Sequence, residues 1–166
     1  MTPTKPPRRV EDAADDTERK VLTDVQEHGW HVMMVVEDED DETGFAFTIG
    51  LPVTFGHPEL LVVGLSLGEM PLLLNTLGEQ VRAGRRFTAG EQVPDILEGA
   101  DVAFREVARD WYREYLGYAR WYHQGPDFET LQVVYPDAEG RFPWQRGVSE
   151  DFRQQQPVLD GPWAQA

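Results

Sequence analysis

Residues 30–36, WHVMMVV, lead into the acidic run EDEDDE at 37–42; GFAFTIGLP follows at 44–52 and HPELLVVG at 57–64. The first segment is apolar on both alternating faces, the pattern of a central strand rather than an edge. In the second, Phe45, Phe47 and Ile49 alternate with Ala46, Thr48 and Gly50, so the two form an antiparallel hairpin. Its loop carries six consecutive carboxylates, Glu37 to Glu42, which repel one another and favour a solvated turn. Leu60 to Leu65 reads as a third strand after a turn-rich connection with Pro52, Gly56 and Pro58.

Working outward, Val21, Leu22, Val25 and His28 recur at helical spacing, with Asp16 or Thr17 able to cap the start and Gly29 to end it. Met70, Leu73, Leu74, Leu77 and Val81 share one face of a helix over about 68–83, opened by Ser66 and Glu69 at capping-box spacing. Strands are expected at 86–93 and 101–107, separated by a connection from Pro94 to Gly99, and a last strand at 131–135. Between them Trp111, Tyr115, Tyr118 and Tyr122 are spaced four, three and four, one aromatic stripe on a helix over about 109–123. Such a stripe is core, a contact with a second copy, or a half-wet pocket wall, because each buried tyrosine hydroxyl needs a partner.

Taken together, 17–149 read as one α+β domain: an antiparallel sheet, split-barrel-like in element order, packed by these two helices. Residues 1–16, with three prolines and many charges, form a disordered lead-in. Residues 150–166 form a peripheral tail, with Val158, Leu159 and Trp163 able to dock.

The formal charge of −15 disfavours nucleic acid and anionic membrane surfaces as partners. Arg82, Arg85 and Arg86 are the local exception, explained by a helix C-terminus. No run approaches the ~18 apolar residues of a membrane span, and the first twenty residues have no apolar segment of the kind a secretory signal needs, so a cytoplasmic protein is expected. The absence of cysteine excludes disulfides, thiolate metal sites and a cysteine nucleophile.

The order GWHV, FAFTIGLP, HPELLVVGL, a leucine-rich helix ending VRAGRRF, LQVVYPDAEGRFPW and a late QPVL resembles a bacterial family catalogued as domain of unknown function 4262, over roughly residues 20–160. That resemblance implies one compact domain and brings no catalytic residue with it. The element order is also similar to that of small split-barrel flavin-binding proteins, which implies a flavin as a candidate cofactor.

The chemistry is sparse. His57-Pro58-Glu59 has the His-x-Glu spacing of zinc deaminases, but the cysteine ligands of that signature are missing. His31, His57, Glu59 and His123 show no metal-site pairing such as HExxH, so no metal is expected. Neither serine lies in a G-x-S-x-G context, and there is no phosphate-binding glycine motif. What remains is an apolar, aromatic pocket with a few polar groups, lined by Thr48, His57, Glu59, Tyr118, Tyr122 and His123. Of these, His57, Glu59 and His123 are the candidates for acid–base work. The leading expectation is a module that binds a small molecule or a partner protein and forms a homodimer through the aromatic stripe. The alternative is an enzyme on a split-barrel-like scaffold, either a flavin-dependent oxidoreductase or an accessory enzyme using His and Glu.

Overall fold

The computed structural model describes residues 6–38, 40, 43–97 and 99–161. Strands β1 (His31–Asp38), β2 (Thr43–Ile49), β3 (Glu59–Val63), β4 (Gln92–Leu97), β5 (Ala100–Glu106) and β6 (Thr130–Val134) form one sheet in the order β1-β2-β3-β6-β5-β4. Only β3 and β6 run parallel. The molecule is therefore two three-stranded antiparallel units joined by one parallel seam. The α+β single-domain expectation holds, and the sheet is open: β1 and β4 lie at its two ends and do not pair with each other.

Alternation assigns the faces. Ala46, Leu60 and Val62 pack under α3 (Glu69–Arg82), whose Met70, Leu73, Leu74, Leu77 and Val81 are all buried. Phe45, Phe47, Ile49, Leu61 and Val63 meet the opposite layer, made by α1 (Asp16–His28) and the aromatic segment around 111–122. With both faces covered, β3 can be a continuous apolar run, and every one of its residues is buried. Helix α1 is capped by Asp15, ahead of the expected Asp16 or Thr17, with its carboxylate accepting from Glu18 N–H, and it stops as expected at Gly29, whose φ of 99° suits glycine.

Several expectations are corrected. β1 is an edge strand, not a central one; it is apolar on both faces because Val32 and Met34 join the α3 layer while Met33 and Val35 join the other. β4 runs through Pro94 to Leu97, where a connection is expected, and proline is tolerated there because β4 is the other edge. The single aromatic helix is three pieces: a 3-10 turn at Arg109–Trp111, α4 (Tyr112–Tyr115) and α5 (Gly117–His123). Leu116 leaves helical geometry (φ −121°, ψ 38°) with its side chain fully buried, and Gly117, a poor helix former, restarts the next piece. A short α2 (Leu51–Phe55) occupies the turn-rich connection between β2 and β3.

Both termini carry contacts to the body. In the expected lead-in, Val10 and Ala13 pack on the aromatic layer, and Arg8 donates to the Trp121 carbonyl at 2.7 Å with its guanidinium 4.7 Å from that indole ring. In the expected peripheral tail, α6 (Glu150–Gln155) is followed by buried Gln156 and Leu159. Gln156 accepts from Tyr135 N–H at 2.9 Å and donates to the Tyr135 carbonyl at 2.8 Å; the Gln132 side chain accepts from Leu159 N–H at 2.8 Å. Trp163, and Glu39, Asp41 and Glu42 of the acidic run, lie outside the described residues.

One contact fixes how α3 sits. Trp30 donates to Asn75 Oδ1 at 2.9 Å, and its ring lies where a β-carbon on Gly78 would approach Trp30 to 2.6 Å. Alanine at 78 would gain about 1 kcal/mol of helix propensity but must displace a packed indole, at about 1–3 kcal/mol. Gly78→Ala is expected to lower the urea midpoint. The control Gly68→Ala, where nothing lies within 4 Å, is expected to leave it unchanged or raise it.

Candidate functional site

Glu59 opens β3 with no solvent exposure, so its carboxylate must be satisfied within the protein. Four groups meet it. Oε1 accepts from the Thr48 hydroxyl at 2.8 Å and from Leu51 N–H at 3.3 Å; Oε2 accepts from Gly50 N–H at 2.7 Å and lies 2.7 Å from His123 Nε2. An ionised carboxylate only accepts, which assigns the proton on the facing imidazole nitrogen to Nε2. Thr48 is itself fixed, since its hydroxyl oxygen accepts from Leu60 N–H at 2.9 Å.

The chain builds this cluster from local rules. Gly50 caps α2 with φ 118°, a conformation glycine adopts without strain, and a β-carbon there would come within 2.9 Å of Val25. That geometry turns the Gly50 and Leu51 N–H groups toward Glu59, and Pro52 sits early in the helix, where its missing N–H is not required. His123 ends α5; its ring stacks on Phe128 at 4.4 Å and meets Tyr122 edge-on at 5.0 Å.

Of the six residues singled out from sequence, Thr48, Glu59 and His123 therefore converge by hydrogen bonds. Tyr122 borders them: burial first, then the Glu59 charge, pushes its phenol up to about 12. His57 is not brought in. Its Nδ1 donates to the Pro58 carbonyl at 2.8 Å, its Nε2 accepts from Phe87 N–H at 3.0 Å, and burial holds it below the usual imidazole range. It is a neutral tie between the loop before β3 and the segment after α3. Tyr118 packs edge-on to Trp121 at 6.2 Å and is half-buried. Sequence reading missed the backbone donors of Gly50 and Leu51; the signal for them was Gly50 two residues ahead of Pro52, a helix start. Among the described residues no three His, Asp or Glu side chains are grouped to hold a metal ion.

This cluster is closed, with the His123 side chain only 8% exposed. A cleft of about 720 Å³ opens elsewhere, lined by Glu37, Thr43 and Gly44 of the hairpin, Val63 to Ser66, Tyr115, and Asp151, Gln154, Gln155 and Pro157. Tyr115 packs against Phe45 at 4.8 Å, and burial, then the Glu37 and Glu114 charges, pushes its phenol up to about 12. No basic side chain is among the described residues lining this cleft. Tyr115 belongs to the aromatic stripe but was not among the nominated pocket residues, and Asp151 lies in the segment read as a tail.

Comparison with protein families matches residues 24–149 to the family described as Domain of unknown function (DUF4262). No curated protein and no solved structure matches the chain.

The Glu59 cluster makes a testable demand. Removing His123 leaves a buried carboxylate short of one hydrogen-bond donor, so His123→Ala is expected to cost about 3 kcal/mol or more. Glu59→Gln keeps the shape and removes the charge, at about 1–3 kcal/mol. Urea unfolding would show that order; losses within about 0.5 kcal/mol, the range of ordinary surface changes, would remove the structural role.

Proposed function

We propose, from the premise that the chain belongs to the DUF4262 family, whose description names no activity, that it is a binding module whose cleft beside the β1–β2 hairpin takes a small organic cation. One observation carries the reading: Tyr115, an aromatic wall, stands in the field of Glu37 in a cleft that also contains Asp151 and no lining base among the described residues. An aromatic face attracts a cation through its quadrupole, and carboxylates at the rim supply charge without closing the cleft. The net charge of −15 adds a long-range attraction of the same sign.

The Glu59–His123 pair supports a second reading, a general base oriented by a buried carboxylate, because the 2.7 Å contact fixes the ring and leaves Nδ1 as the reacting nitrogen. Its weakness is access: the acid is fully buried and the imidazole nearly so. On this reading the cluster positions α2 and α5, and chemistry there is secondary. The flavin expectation rested on barrel order and gains nothing from an open sheet.

Calorimetric titration with choline, agmatine and spermidine at fixed ionic strength tests the proposal. At least one is expected to bind saturably, and Tyr115→Ala to weaken it about 2- to 30-fold, the equivalent of ~0.5–2 kcal/mol of cation–π attraction. Asp151→Asn is expected to weaken it as well. Binding that disappears with added salt and is the same in Tyr115→Ala would reduce it to diffuse attraction, and no binding by any of the three would end the reading.

A further inference from the structure

The sheet has two ends, and they are built differently. β4 carries Pro94, a positive φ of 67° at Asp95, and a register shift between Val93 and Leu97, each a device that prevents another strand from adding. β1 has none of these over 31–36: its register against β2 is regular from His31 to Val36, and Val32 to Val36 is an unbroken apolar run. Val32 to Val35 are only half-buried and Val36 is 43% exposed. Among the described residues no strand pairs with its outer side. An open, regular, apolar edge is a template for strand addition.

We infer that β1 pairs antiparallel with β1 of a second copy about a two-fold axis through Met34, joining the two six-stranded sheets into one. Symmetry restricts the register. Opposed residues in an antiparallel pair point to the same face, and a two-fold axis perpendicular to the sheet preserves faces, so one residue must oppose itself. With Met34 at the axis, Met33 opposes Val35 and Val32 opposes Val36 of the second copy, and the regular pairing ends there, because the register of β1 shifts between Val36 and Asp38. Every apolar residue of the run then meets an apolar residue.

Charge selects the same arrangement. The C-terminal end of β1 carries Glu37 and Asp38, both exposed. The N-terminal end holds His31, which lies 2.7 Å from Asp24, and the cavity beside it is lined by Lys20 and Arg82, paired with Asp24 and Glu79. Antiparallel pairing carries each acidic end to the other copy's charge-balanced end, whereas a parallel pairing would set Glu37 and Asp38 against themselves. Glu37 borders both the cleft and the paired run, but the two readings are tested separately, since this test reads mass with no ligand present.

Sedimentation of the full chain over a range of concentrations is expected to show a dimer. Val36→Lys, which puts a charge opposite Val32, is expected to sediment as a monomer with an unchanged far-ultraviolet spectrum. The chain has no cysteine, so single thiols report proximity cleanly. Under mild oxidation Met34→Cys is expected to form a covalent dimer, while Val53→Cys, on an exposed α2 position, is not. A wild-type monomer at every concentration, a folded Val36→Lys that still dimerises, or equal cross-linking of the two thiol variants would overturn the inference. If Val36→Lys fails to fold, the comparison of the two thiols decides.

Discussion

A carboxylate placed out of reach of water must be met by enough donors or it will neutralise or unfold its surroundings. Glu59 imposes that condition on this domain, and four groups on three separate segments answer it. Thr48 comes from the end of β2, Gly50 and Leu51 from the start of α2, and His123 from the end of α5. The interaction links both three-stranded units, because Glu59 N–H donates to the Glu129 carbonyl just ahead of β6, where the parallel seam begins. Its position explains local choices that look arbitrary in isolation: a left-handed glycine at 50, a threonine in an otherwise apolar strand, and a histidine among aromatic rings.

Much of this was legible in the sequence where the physics is local. Helix positions followed from Gly29 and the leucine spacing of 73–81, although α1 is capped by Asp15 and not by the expected Asp16 or Thr17; the hairpin followed from the alternation of 45–49. Thr48, Glu59 and His123 could be nominated as polar residues in apolar company, and they converge. What a single sequence does not carry is which strand lies at an edge. The residues of β1 look central because helices cover both faces, and covering a face is a property of tertiary packing, not of the strand. The same holds for Pro94, which marks a turn or an edge strand equally well. His57 looked chemical because histidine before proline near a glutamate invites that reading, yet both its nitrogens are spent on backbone groups. The break at Leu116 was masked by an aromatic spacing that a straight helix would also produce.

The charge distribution gives the two surfaces different characters. The cleft gathers Glu37 and Asp151 beside Tyr115, while the start of β1 gathers ion pairs, Lys20 and His31 on Asp24 and Arg82 on Glu79. A protein of net charge −15 repels copies of itself at long range, so the pairing proposed at the edge of β1 has to outweigh that repulsion locally through its apolar strip. The closed Glu59 cluster ties the end of β2, the start of α2 and the end of α5 to the start of β3.

Amide hydrogen exchange at Gly50 and Leu51 tests the role of Glu59 most directly. Gly50 caps and Leu51 opens a five-residue helix that would fray readily if nothing held it, yet both amides donate to a carboxylate that no solvent reaches. The account requires them to exchange only through global unfolding, as slowly as the core amides of β3. Exchange at the rate of an ordinary surface turn would show that the carboxylate does not hold this region, and would contradict the account.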